Sequence, residues 1–338
     1  MHPGQFRQAL LGQASLAAQL PDVRRQQFHR FLFGSQTSSV ICCRLLVYRI
    51  LVTIACRIGT PETSGILGNF GLLRHLCGVT AQDEHLRLKK PGVIWYKTTP
   101  GKKEEESPHG KFTNYLQTAI KKPRLYMECD EPLFTALARV VKRRRTIEAL
   151  EAEDLLPGAV YWREDVRHGK RQVTCPRNDW FQSAFEATAK CDIVFLDPDN
   201  GMERANLRPT QGESRKYAFR CEVGKLISRG QSVVVYHHTG RLGGTAKQQT
   251  QWHLQKLLDE PSLAHDPFGV LFHRGGTRAF LILPNQDHRE LLLERTNTFV
   301  QKWGLDDWKT GKPRGHFTGP YPDLTGRVSG GSGTIGGT

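Results

Sequence analysis

Two acids at the end of an apolar run are the first sign of chemistry in this chain. Asp197 and Asp199 flank Pro198 in Asp197-Pro198-Asp199-Asn200-Gly201, directly after Ile193-Val194-Phe195-Leu196. A carboxylate can accept hydrogen bonds from an amine, hold a hard cation, or move a proton. A second polar group, His237-His238, follows Ser232-Val233-Val234-Val235-Tyr236. Imidazole can relay protons near neutral pH, and strand alternation sends one of two adjacent histidines to each face. Asp197, Asp199, Glu222, His237 and His238 could together hold Mg²⁺ or Mn²⁺, with Lys225 steadying a phosphate, as in a nuclease or phosphoesterase. Glu222 and Lys225, three residues apart on a helix, could equally form a surface ion pair. The EF-hand pattern is excluded, because counting from Asp197 puts Gly201 at position five and Arg208 at position twelve.

These groups need buried strands behind them. Ile193–Leu196 and Ser232–Tyr236 are short, apolar and rich in β-branched residues, as expected of strands covered on both faces. Pro198 lacks an amide donor and Asn200-Gly201 favours a turn, so the first strand must break there. Val93–Tyr96 and Ala159–Trp162 read as further strands. Helical spacing covers Leu133–Val141, opened by Asp130-Glu131-Pro132, and the stretch carrying Trp180, Phe181, Ala184, Phe185 and Ala187, capped by Asn178-Asp179. Phe219, Val223, Leu226 and Ile227 form another stripe, ended by Arg229-Gly230, and a last helix covers about Asp287–Trp303. Val270–His273 and Arg278–Leu283, joined across Gly275-Gly276, predict an antiparallel hairpin. The alternation predicts an α/β fold, a mostly parallel sheet with a terminal antiparallel hairpin. Ligands of such open sheets sit beyond the carboxyl ends of the strands. The glycine-rich stretch Gly59–Gly71 reads as a turn before a short helix at Leu72–Leu76, or more weakly as a ligand loop.

Asp192-Ile-Val-Phe-Leu-Asp197-Pro198 resembles the strand and loop of class I S-adenosylmethionine-dependent methyltransferases. The similar group carries an (Asp/Asn)-Pro-Pro-(Tyr/Phe) motif and modifies exocyclic amines of bases in DNA or RNA. The segment from Gly65 to Pro284 also resembles a bacterial family of unassigned activity with a Phe-Leu-Asp-Pro-Asp-Asn-Gly signature. The resemblance implies a Rossmann-like fold, the hairpin matching its reversed last strand. It implies S-adenosylmethionine as cofactor and nucleic acid as acceptor. Asp197 would accept a hydrogen bond from the target amine, and Pro198 would shape the loop. Asp199 stands where the motif has its second proline, and Asn200 where it has its base-stacking aromatic; both are kept with Asp197 and Pro198 as catalytic-loop candidates. His237 or His238 would be a proton relay. Gly68-Asn69-Phe70 resembles the cofactor-side segment of some ribosomal-RNA adenine methyltransferases. His109-Gly110-Lys111, on the loop after Val93–Tyr96, completes the expected cofactor side.

Composition limits the alternatives. The 338 residues carry a formal net charge of +15, which favours phosphate-rich partners such as DNA or RNA. A non-catalytic nucleic-acid-binding module would share that charge. None of the eight cysteines forms a C-x-x-C pair, so they read as buried thiols of a cytoplasmic protein rather than zinc ligands. The apolar run Val40–Ile58 is interrupted by Arg44, Arg49 and Arg57, so no stable membrane span is expected. The expected organisation is a basic and apolar extension over 1–60, an α/β domain over 61–305, and a Gly/Pro-rich tail without fixed structure over 306–338.

Overall fold

The computed structural model describes residues 63–80, 88, 90–98, 116, 126–143, 146–167, 176–240, 244–259, 266–273, 276–304 and 316–321. The 1–60 extension, the apolar run within it, His109-Gly110-Lys111, Cys42, Cys43, Cys56, Cys175 and the chain end beyond 321 lie outside the described residues.

The fold is α/β. Its elements in order are α1 (Thr63–Leu76), β1 (Pro91–Trp95), α2 (Glu131–Arg143), α3 (Ile147–Glu151), β2 (Val160–Trp162), α4 (Pro176–Ala187) and β3 (Ile193–Asp197). Then follow β4 (Gly201–Met202), a short 3₁₀ turn, β5 (Tyr217–Ala218), α5 (Arg220–Ser228), β6 (Ser232–His238), α6 (Ala246–Leu258), β7 (Phe268–Phe272), β8 (Arg278–Leu283), α7 (Arg289–Trp303) and β9 (Phe317–Tyr321). Seven strands form one sheet in the order β2-β1-β3-β6-β8-β7-β9. β2, β1, β3 and β6 run parallel. β8 lies antiparallel between β6 and β7, and β9 pairs antiparallel with β7. β4 and β5 make a separate two-stranded ribbon.

Both faces of the sheet are covered. Val93, Trp95, Ile193, Phe195, Val234 and Tyr236 pack against α1, α2, α3 and α7. Ile94, Tyr96, Val194, Leu196, Val233 and Val235 pack against α4, α5 and α6. Double coverage explains why β3 and β6 are uninterrupted apolar runs rather than alternating ones. Full burial of each such side chain contributes about 1.5–3 kcal/mol.

Two expectations are corrected. From Thr63 on, the glycine-rich stretch is helix rather than turn: Gly65, Gly68 and Gly71 lie inside α1. A Cβ on Gly68 would press the Phe272 ring at 3.0–3.2 Å, and one on Gly71 would run into the Trp303 ring. The absent side chains let aromatic rings pack directly on the helix. Phe317–Tyr321, within the region expected to lack structure, is an edge strand of the main sheet. Its sequence, Phe-Thr-Gly-Pro-Tyr, hides the strand behind turn-forming residues, and proline in a sheet is confined to such edges.

Candidate functional site

After β1 the chain adds β2 on one side of it and β3 on the other. The strand order reverses between β1 and β3, and in open α/β sheets ligands sit beyond the carboxyl ends of the strands at such a place. Trp95 and Asp197 are partners in register at that end, and the Tyr96 amide donates to the Asp197 carbonyl at 3.4 Å. The Asp197 side chain shares a face with Phe195 and Ile193, toward α1.

α1 supplies the facing group. Asn69 is 3% exposed, and its Nδ2 donates to Asp197 Oδ1 at 3.5 Å. Asn69 Oδ1 is buried with no hydrogen-bond partner among the described residues. A buried amide oxygen without a donor costs about 1–3 kcal/mol, a cost removed by any N–H or O–H that reaches it, an ordered water included. Phe70, the next residue, stacks on Trp95 with ring centroids 6.4 Å apart. Trp95 Nε1 donates to Glu151 Oε1 at 3.1 Å, and Arg163 holds the other oxygen of Glu151 at 2.8 Å. Burial raises the Glu151 carboxyl above its usual range despite Arg163. Tyr236 lies on the same face as Asp197, and His238 meets it edge-on at 5.2 Å.

The rest of the acidic loop is held by the protein itself. Pro198 is buried. Asp199 pairs with Lys216 at 3.1 Å, and the Asn200 amide donates to the Lys216 carbonyl at 2.8 Å. Asn200 O accepts from the His238 amide at 3.3 Å. Gly201 has φ +103°, a value side chains disfavour, and a Cβ there would run into His237.

His237 and His238 do point to opposite faces, and both belong to β6 rather than to the loop beyond it. His237 faces α6, 5% exposed, and its Nδ1 accepts the Met202 amide at 3.1 Å. That bond requires Nε2 to carry the proton in the neutral ring. Its ring lies 4.1 Å from that of His253. Burial first, then the charges of His253 and His238, hold His237 well below the usual histidine pKa. Burial, then Lys256 and Arg220, pushes His253 down to about 4.

Glu222 and Lys225 are not an ion pair. Glu222 is buried against Arg177, with Arg177 Nε–Oε1 at 2.7 Å and Nη2–Oε2 at 2.8 Å. Tyr96 Oη and the Phe219 amide donate to Glu222 Oε2 at 3.1 and 3.0 Å. Arg177 also donates to the carbonyls of Ser214 and Tyr217, and packs over the rings of Tyr96, Trp180 and Phe219. Burial opposes the arginine's charge, but Glu222 outweighs it, and its pKa rises. Burial, followed by the charge of Glu222, raises the Tyr96 phenol well above 10. The acids expected to share a cation are therefore separated, Asp199 on Lys216 and Glu222 on Arg177. Among the described residues no three His, Cys, Asp or Glu side chains gather closely enough to hold a metal ion. The Mg²⁺ or Mn²⁺ ligand set does not fit.

Cys77, Cys129 and Cys191 are buried as expected, whereas Cys221 is exposed. Glu151, Arg177 and His253 carry no sequence signal of their roles, because their partners come from distant segments. Among the described residues, no helix is long and apolar enough to cross a membrane.

No family model, no curated protein and no solved structure matches this chain.

Proposed function

We propose that this chain is a Rossmann-like, S-adenosylmethionine-dependent methyltransferase with nucleic acid as acceptor. The observation that carries the reading is the meeting of Asn69 and Asp197 where the strand order reverses, with one buried amide oxygen unmatched. Asn69 and Asp197, 128 residues apart and each from a segment with its own methyltransferase resemblance, come together there. The reversed β8 between β6 and β7 also supports it. The formal charge of +15 supports a polyanionic acceptor.

In this reading Asn69 Oδ1 fits an N–H or O–H donor of S-adenosylmethionine, and Trp95 and Phe70 form the apolar wall beside it. The cofactor supplies an electrophilic methyl group when bound. Asp197 accepts a hydrogen bond from the acceptor amine and fixes its approach, so that rate comes from positioning. Tyr236 excludes water from the same face. His238, on that face, takes the proton released from the amine, whereas His237 holds the loop through Met202. Asn200 is committed to the strand end and does not replace the stacking aromatic of the resembling motif.

Isothermal titration with S-adenosylmethionine tests the reading. The wild-type chain binds without added metal, and Asn69→Leu weakens binding at least about tenfold, since an unmatched buried polar atom of the ligand costs 1–3 kcal/mol. Failure of the wild-type chain to bind S-adenosylmethionine sinks the proposal. Mn²⁺ binding that disappears in Asp197→Ala, without cofactor affinity, would install the nuclease reading instead.

A further inference from the structure

On the opposite side of the sheet, α4 and α5 enclose a groove of about 640 Å³. Gln182 and Phe185 line it from α4, and Arg220, Cys221, Lys225 and Arg229 from α5 and its end. Its cations differ in how they are neutralised. Arg220 pairs with Glu203 at 3.2 Å. Lys225 is exposed, its ammonium 6.0 Å from the Phe181 ring centroid. Arg229 is fixed by neutral acceptors: Gln231 Oε1 at 2.6 and 3.0 Å, Thr188 Oγ1 at 3.3 Å, and the Phe185 carbonyl. Its guanidinium carbon lies over Phe185, 3.6 Å from the ring centroid. Four of its five N–H groups are used in these bonds, leaving one on Nη1. Burial lowers its pKa, yet an arginine stays charged. Lys225 and Arg229 thus bring two positive charges to one shallow groove, with no carboxylate on either among the described residues.

A cation held by neutral acceptors keeps its field, which reaches the solvent where the groove opens. Pre-ordering of the Arg229 fork also removes the rotamer cost of meeting an anion. Phosphate oxygens suit both groups, arginine through directed N–H bonds and lysine as a point charge. We propose that the α4–α5 groove is a backbone-binding track for nucleic acid, in which Lys225 and Arg229 contact phosphodiesters. This extends the nucleic-acid half of the function proposed above and does not depend on methyl transfer. Apart from its cations, the groove offers base edges only the uncharged polar side chains of Gln182 and Ser228, so binding is expected to depend little on sequence.

The test uses the full chain and a fluorescent single-stranded oligonucleotide of mixed sequence. Lys225→Glu is expected to weaken binding about tenfold or more at fixed salt. Loss of the Lys225 contact should also reduce the slope of log affinity against log salt by about one. Lys142→Glu, an exposed change on α2 across the sheet, controls for net charge and should stay within about twofold. Cys221 reports location: bound oligonucleotide should slow its alkylation, read by peptide mass spectrometry. The proposal is overturned if the groove variant and Lys142→Glu lose affinity equally, or if Cys221 stays unprotected in the saturated complex. It is also overturned if free nucleotide displaces the oligonucleotide at comparable concentration, which would make the groove a small-anion site. Circular dichroism melting of each variant excludes unfolding as the cause. Titration of the same variants with S-adenosylmethionine separates the two proposals, since the groove change should leave cofactor affinity within about twofold.

Discussion

Two clusters at the carboxyl ends of the strands, one on each face of the sheet, treat their polar groups in opposite ways. On the α5 and α6 side, every polar atom described around Arg177, Glu222 and Tyr96 has a partner, and His237 spends its free nitrogen on Met202. On the α1 side, Asn69 keeps a buried oxygen unmatched beside Asp197. A closed network specifies a structure, whereas an incomplete one leaves a place for a ligand. The more conspicuous constellation is therefore architecture, and the sparser one is the candidate site.

The largest effect should come from opening the closed side. Arg177→Ala leaves Glu222 buried and unpaired, and urea denaturation should show a loss of about 3–5 kcal/mol. A loss under about 1 kcal/mol would show that the network is not what closes that side. Next in size, Gly201→Ala forces a Cβ into His237 at positive φ, with an expected cost of about 2–4 kcal/mol by the same measurement. A neutral result would mean the acidic loop is not clamped by His237.

Acid should loosen this side too. The folded-state pKa values of His237 and His253 lie below the unfolded value of about 6.5. The unfolded chain then binds more protons as pH falls. The stabilising contribution is whole above about pH 6.5 and is lost on descent toward the folded values, about 4 for His253. Each group adds at most about 1.4 kcal/mol per pH unit to the slope. His253→Gln should flatten the difference curve between pH 6.5 and 4, followed by urea midpoints; an unchanged curve removes His253 from the explanation. The smallest stability effect is expected on the open side. Asn69→Leu should change stability by less than about 1 kcal/mol, because the Nδ2 bond it removes is a long one at 3.5 Å and the oxygen it removes was already without a donor. A loss comparable with that of Arg177→Ala would erase the contrast between the sides.

Local pattern was enough for much of this molecule. Two faces of cover make β3 and β6 continuous apolar runs, and Pro198 with Gly201 ends the first of them, so the strand and its acidic loop were legible from residue types. Helices with one apolar stripe were equally legible in α2 and α5. The glycines of α1 misled because their purpose is set by Phe272 and Trp303, more than 200 positions away. β9 was hidden because pairing with β7, rather than its own propensity, makes it a strand.

By itself the sequence determined that two carboxylates leave a buried strand at Asp197 and Asp199, and that His237 and His238 take opposite faces, since both follow from a two-residue period. Only the tertiary structure decided which side each group serves. It sent Glu222 to Arg177, 45 residues earlier, rather than to Lys225 on the same helix. It gave Asp199 to Lys216 and brought Asn69 to Asp197. The reason is physical: periodicity encodes which face is buried, but the partner of a buried polar group is whichever distant segment the packing brings within hydrogen-bond reach.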